Sequence, residues 1–519
     1  MMENLSSSLY LVAQVLLLLL IALLILLVSL KFGDTHNNKN HPRLPPGPWR
    51  LPVIGSLHHL FFKSSKIHRA LADLARRHNA PVMYLRLGEL DAVVVSSPDA
   101  AREVMKTHDA TFATRPLSTT MRATSAGGLG VAFSPYGERW RQLRKFSTME
   151  LLSAKRVRSF RPIREDETAR LVAGIAACPP GEPVNVTERV ANLVVDSSLR
   201  AMMGERFGRR EELLECITQA VEIISGFHFG DLFPSSRLVC AIDGTVRKAR
   251  AFNRKTFELV DYAIEQHRER RSSGAGTTST DLAEDEDLLG VLLRTQEEGG
   301  FGCSIDVGDI KAILVELFVA GSESTSVTIQ WAMAELMRNP NVMKRAQTEL
   351  HCALKDKSRV TEDDLVDLPY IKLIIKETLR LHTPGPLLLP RECQESCEIL
   401  GYDVQKGTIV LVNVWSICRD PKYWEEAEVF KPDRFEEGAI DFVGTDFCYT
   451  PFGAGRRICP GIAFAQANME LVLATLLFHF DWQLPPGVTP SELDMGEEMG
   501  ISIRRRQDLY LHPTIRVPL

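Results

Sequence analysis

Cys459 sits in the run Phe452-Gly453-Ala454-Gly455-Arg456-Arg457-Ile458-Cys459-Pro460-Gly461, and a helical pattern, Ile462 to Leu477, follows. Proline is favoured at the first helical position, so this spacing predicts a sulfur at a helix N-terminus. Backbone N–H groups and the helix dipole there favour a thiolate. Gly453, Gly455 and Gly461 permit a tight bend, and Arg456 and Arg457 add positive charge beside it. A thiolate held in this way suits a metal ligand or a nucleophile; the bland alternative is a buried cysteine in an ordinary loop. A second chemical feature is Ala320-Gly321-Ser322-Glu323-Ser324-Thr325, a carboxylate among hydroxyls inside an apolar stretch. A carboxylate there is costly unless it is paired, functional or turned to a wet surface. Glu377 and Arg380, three apart, share one helix face and can pair; Trp140 and Arg144, four apart, also share one face.

These groups need rigid supports. From about Asp309 to Arg338 the chain runs without proline, roughly 45 Å as a helix and long enough to cross a domain. Its apolar positions fall on more than one face, which predicts a central, buried helix, and its Gly and hydroxyl residues predict a local kink. Val82 to Leu87 and Ala92 to Ser96 read as a hairpin around Gly88, and Tyr402 to Trp415 as a second strand pair around Lys406-Gly407. Most of the remainder has helical period. The fold class is therefore mainly α with small β-sheets. Ser272 to Thr280 reads as a solvated loop rather than a boundary.

The chain has 519 residues, of which 45% are hydrophobic and 24% charged, with a net charge of −5. That excludes a disordered tail and gives no basic field for nucleic acid. Ten scattered cysteines without a CxxC fit neither a disulfide scaffold nor a zinc knuckle. Leu9 to Leu30 carries no charge and, as a helix, would be about 33 Å long. A membrane anchor is expected, with a cleaved signal peptide as the alternative. Lys31, Lys39, Arg43 and Arg50 follow the run, against Asp34 alone, so the body should lie on the cytosolic side. The expected division is an anchor over 1–30, a polar linker and Pro-rich hinge over 31–50, and one catalytic domain over 51–519.

Phe452-x-x-Gly455-x-Arg457-x-Cys459-x-Gly461 resembles the haem-binding loop of cytochromes P450. These five types at this spacing would arise by chance on the order of once in ten thousand such chains. Glu377-Thr378-Leu379-Arg380 resembles the family's ExxR, completed by Arg434 in Pro432-Asp433-Arg434-Phe435 as a structural triad. The resemblance runs from the Pro-rich hinge to Pro513 and is nearest to the plant A-type microsomal branch. It implies a P450-like fold and haem b (iron protoporphyrin IX), with Cys459 as the axial thiolate. It also implies that Trp140 and Arg144 cover the haem, and that Arg144, Arg391 and Arg457 bind its propionates.

The resemblance further implies that Glu323 and the adjacent alcohol deliver protons to dioxygen. That alcohol is usually threonine; here it is Ser324, with Thr325 one place on as the fallback. Serine keeps the hydroxyl but has no methyl to fix its rotamer. The implied reaction is an NADPH- and O₂-dependent monooxygenation, hydroxylating or epoxidising a small apolar plant metabolite, with a diterpene or sesquiterpene expected first. Phenylpropanoids and fatty acids are alternatives, as is a haem-thiolate isomerase or dehydratase needing no reductase. No flavin or NADP fingerprint is present, so the implied partner is the membrane-bound NADPH–cytochrome P450 reductase. Arg139, Arg141 and Lys145 are its expected docking face. The expected location is the endoplasmic reticulum membrane, with one span and membrane lipid as a second partner. Substrate contacts are expected from Met121 to Val131, Phe227 to Phe233, Phe318 with Ala320, Leu387 to Leu389 (Leu388 above all), and Met499 to Ile501.

Overall fold

The structure, a computed structural model, describes residues 42–61, 66–225, 228–272, 286–299, 304–438, 440–500 and 502–518. The expected anchor, Leu9 to Leu30, lies outside them, as do Phe227 and Ile501. The long helix spans Val307–Arg338. Asp306 caps it: the Asp306 carboxylate accepts from the Asp309 N–H, and the Asp309 carboxylate accepts from the Asp306 N–H. Val186–Met203, Pro369–Leu381 and Ile462–His479 pack against it. The helix is continuous through Ala320–Thr325, where a kink was expected. The Ser324 hydroxyl donates to the Ala320 carbonyl at 2.7 Å, bonding back along the helix without interrupting it. This helix and Ile462–His479 are long and apolar enough to cross a membrane, yet both are largely buried inside the fold.

The hairpin forms from Val82–Leu87 and Leu90–Val95, antiparallel. The second expected strand pair does not. Tyr402–Val404 pairs with Cys397–Ile399, whereas Ile409–Val412 runs parallel to Leu90–Val95 and antiparallel to Arg391–Glu392. Val410 to Val412 are all buried, and a strand covered on both faces reads as an apolar run that does not name its partner. Asn413 then caps a short helix, Val414–Ile417. Two smaller sheets pair Tyr510–Ile515 with Val184–Asn185 and Phe480–Gln483, and Glu497–Met499 with Ile503–Arg505. The Pro-rich segment lies on the first sheet: the Pro46 carbonyl accepts from the Tyr84 N–H, and a Cβ at Gly47 would sit 2.1 Å from the Tyr84 oxygen.

Glu377 and Arg380 are wholly buried and pair through two bonds of 2.7 and 2.8 Å. Arg434 Nε and the Lys431 N–H donate to Glu377 Oε1 at 3.1 and 2.8 Å. Arg380 Nη1 also donates to the carbonyls of Cys418 and Ala427, tying the helix to the chain before the cysteine loop. Removing Glu377 would strand two guanidiniums. Glu377→Ala should therefore lose about 3–5 kcal/mol in chemical denaturation, and Glu377→Gln should lose less.

Candidate haem and oxygen site

The cysteine loop is built by backbone bonds and close approach. The Cys459 N–H donates to the Phe452 carbonyl at 3.0 Å, and Gly455–Arg457 form one 3₁₀ turn. Gly455 has φ +70°, and a Cβ there would meet the Met105 carbonyl oxygen at 2.2 Å. Only glycine lets the loop lie against the helical turn Glu103–Thr107. The helix begins at Ile462 with Gly461 as its cap, so Pro460 stands before the cap rather than at the first helical position. Burial pushes the Cys459 thiol up, while the Gly461 N–H and Arg144 pull it down. The sequence suggested a ready thiolate; in the bare chain desolvation outweighs the nearby donors. Metal coordination deprotonates such a thiol outright.

Four arginines gather beside this loop. Arg144, on Glu138–Phe146, donates to the Ile458 carbonyl at 2.5 Å. Arg391 donates to the Ala454 carbonyl at 3.0 Å. Arg457 donates to the carbonyls of Ala113, Val131 and Ser134 at 2.6, 3.1 and 2.6 Å, with its guanidinium 4.1 Å from the Trp140 ring centre. Trp140 Nε1 donates to the same Val131 carbonyl at 3.0 Å. Arg115, which the sequence reading missed, donates to the carbonyls of Leu389 and Pro390 at 2.8 and 2.9 Å. Burial, then repulsion from Arg391, Arg457 and Arg144, lowers its pKa well below the usual guanidinium value. Burial with Arg391 and Arg144 pushes Arg457 down to about 9, and burial pushes Arg391 down to about 10. Asp109 offsets part of this charge, 3.6 Å from both Arg391 and Arg456.

On the central helix Ala320 is exposed, between the half-buried Val319 and Gly321. Ser324 lies one turn on, half-buried, on the same stripe. Thr325 is 1% exposed, and its hydroxyl has no partner among the described residues. Burial pushes the Glu323 carboxyl up to about 6. Its Oε1 accepts from the Ser502 N–H at 3.4 Å, and its Oε2 is buried without a partner among the described residues. Phe318, two residues from Ala320 and so about 200° round the helix, faces the other way. It packs in a second core with Met202, Met203 and Phe252. Leu388, at φ +51°, and Met499 are half-buried. Phe452 is half-buried and packs edge-on to Phe442.

Residues 462–467, the apolar start of the helix after the cysteine, are all half-exposed, whereas Asn468 to His479 are almost all buried. An apolar helix face left accessible beside a thiol, three buried cations and a half-buried fourth fits one kind of group. That group is flat and apolar, carries two carboxylates and has a metal to receive sulfur. Arg391 Nη1 is buried without a hydrogen-bond partner among the described residues, its carboxylate neighbour Asp109 lying 3.6 Å away, so it has room for a closer anionic acceptor. Haem meets each demand, with Cys459 able to hold its iron and Arg115, Arg144, Arg391 and Arg457 its propionates.

Glu316 was also missed. It breaks the apolar run before Ala320 just as Glu323 breaks it after, so the same cost-of-burial signal was present. Arg115, in Thr114-Arg115-Pro116, carries no spacing signal at all.

The cytochrome P450 family profile matches residues 45–511. Ent-cassadiene hydroxylase of Oryza sativa subsp. japonica is 46% identical over 507 residues, covering 96% of this chain and 97% of the relative. Premnaspirodiene oxygenase of Hyoscyamus muticus is 45% identical over 479 residues, 92% of this chain and 94% of the relative. Desmethyl-deoxy-podophyllotoxin synthase of Sinopodophyllum hexandrum is 45% identical over 495 residues, 95% and 96% of the two chains.

A carboxyl raised on folding is favoured while protonated, so its contribution to stability is lost as pH rises through its folded value. Between pH 4.5 and 8 the parent should lose about 2 kcal/mol more than Glu323→Gln, read by urea denaturation across that range.

Proposed function

Because this chain belongs to the cytochrome P450 family, the haem-thiolate monooxygenases, we propose that it inserts one oxygen atom into a terpene hydrocarbon at the cytosolic face of the endoplasmic reticulum. The single observation that carries the site is the cluster of guanidiniums beside the Cys459 loop, Arg115, Arg391 and Arg457 buried and Arg144 half-buried, together with a central helix that offers Glu323 and Ser324. Haem supplies the dioxygen chemistry, with electrons from NADPH through the reductase. Arg115, Arg144, Arg391 and Arg457 orient it through its propionates. Trp140 closes its edge. Glu323, poised near neutral pH by burial, holds and releases a proton, and Ser324 shares the stripe with Ala320 and passes that proton on. The half-exposed faces of Leu317, Leu388 and Met499 exclude water and bind an uncharged, apolar substrate. Relatives named for ent-cassadiene and premnaspirodiene favour a diene hydrocarbon. The equally similar desmethyl-deoxy-podophyllotoxin synthase supports a podophyllotoxin-like substrate as the second reading.

The membrane assignment draws on two features. One is the uncharged run Leu9 to Leu30. The other is a patch of exposed apolar side chains: Trp49, Val53, Phe229, Leu238 and Ile242. Their segments adjoin, since the hairpin tip receives Ile54 and Leu232 as bonding partners. For the reductase, Arg141 and Lys145 remain exposed on the helix around Trp140, while Arg139 is taken by Asp309 at 2.6 Å.

Microsomes carrying the full chain and the reductase should convert a sesquiterpene or diterpene hydrocarbon, with NADPH, into a product heavier by one oxygen. Turnover of podophyllotoxin-like compounds alone would establish the second reading. Cys459→Ser should abolish the thiolate carbon-monoxide band. Ser324→Ala should raise hydrogen peroxide released per NADPH more than Thr325→Ala; the reverse ranking would give the role to Thr325.

A further inference from the structure

Glu316 stands one turn before Ala320 on the central helix and about two turns before Glu323. Part of its stem faces accessible space, but its carboxylate is buried. Oε2 accepts from the Val131 and Ala132 N–H groups at 2.6 and 3.0 Å, and the Phe133 N–H also points to the carboxylate. The other side of the same turn is held by cations and an indole. The Val131 carbonyl accepts from Trp140 Nε1 and Arg457 Nη1, the Ala132 carbonyl from Arg115 Nε at 3.3 Å, and the Ser134 carbonyl from Arg457 Nη2. The peptide groups of this turn therefore point their N–H bonds at one carboxylate and their carbonyls at the guanidiniums. Gly130 makes the fit possible. It has φ +86°, and a Cβ there would lie 2.4 Å from Glu316 Oε2.

We propose that Glu316 is a positioning residue that latches the 130–134 turn to the central helix, and so fixes both the wall above the substrate space and the reach of Arg457 and Trp140. The latch needs an acceptor oxygen at that point, not a negative charge. It acts through the turn and does not touch the reacting atoms. Its effect on substrate rests on the monooxygenase site described above; the contact itself does not. Asp306, Asp309 and Glu323, on the same helix, each have their own backbone N–H partners, so none substitutes for it.

The test uses the full-length, haem-loaded chain in detergent micelles. Two readouts are followed: hydrogen exchange of the Val131 and Ala132 amides, and the association rate of 4-phenylimidazole with ferric haem. In the unmodified chain both amides should exchange far more slowly than an unstructured amide. Glu316→Leu should speed their exchange by roughly tenfold or more and accelerate imidazole binding several-fold. Glu316→Gln, which keeps one acceptor oxygen, should stay within about twofold of the parent in both. Gly130→Ala, which keeps the carboxyl but drives a methyl into it, should reproduce the leucine result if Glu316→Leu does not fold. Unprotected amides in the parent, unchanged exchange in both disruptive variants, or a glutamine variant as loose as leucine would each overturn the latch. A chain lacking the imidazole-induced shift of a haem spectrum would instead overturn the haem reading, leaving the exchange comparison intact.

Discussion

Like charges brought out of water repel, and this fold brings four guanidiniums, three of them buried, to one corner. The protein meets that cost with backbone carbonyls: those of Ala113, Val131, Ala132, Ser134, Leu389, Pro390, Ala454 and Ile458 all accept from them. Carbonyl dipoles solvate a cation but do not cancel its charge. The corner therefore keeps a positive potential that a dianion relieves. The loops that contribute these oxygens come from distant parts of the chain, so the same charges that prepare the haem site also decide where those loops lie.

The central helix organises the opposite side with two acids. Glu316 and Glu323 are seven residues apart, hence on nearly one stripe about 10 Å apart, with Ala320 between them. Burial raises both, Glu316 to about 7 and Glu323 to about 6. Each accepts from the backbone of a different wall: Glu316 from the turn at Val131, Glu323 from Ser502 in the hairpin that carries Met499. One helix thus gathers both walls over the face where Ala320 leaves room. Phe318, on the far side, steadies the helix from behind by packing into the second core.

What the sequence made legible is chemistry that short spacing enforces. The cysteine loop and the Glu377–Arg380 pair each depend on residues within one loop or one turn, and each is seen with its partners, whereas Trp140 and Arg144 bond to separate segments, at Val131 and Ile458. Arg434 was legible only through the resemblance, and the structure bonds it to Glu377. What was not legible depends on distant partners or on helix phase. Arg115 is a site residue only because residues 389 and 390 fold over it. Ile409–Val412 looks like half of a hairpin until Leu90–Val95 claims it. Phe318 and Ala320 stand two apart in sequence yet on opposite faces, and an all-round apolar helix gives no phase from which to choose.

That parallel pairing has a cost in time. The Asn413 side chain, at the end of Ile409–Val412, donates to the His68 carbonyl, 345 residues earlier in the chain. The hairpin Val82–Val95 therefore leaves the ribosome with one buried edge of its sheet unpaired. At ordinary synthesis speeds it waits on the order of tens of seconds for its neighbour. During that interval Val93, Val94 and Val95 form an open, apolar edge suited to wrong partners. Contacts this distant in sequence make folding slow, so a chaperone that shields nascent strands matters more to this chain than to a helical bundle of equal stability.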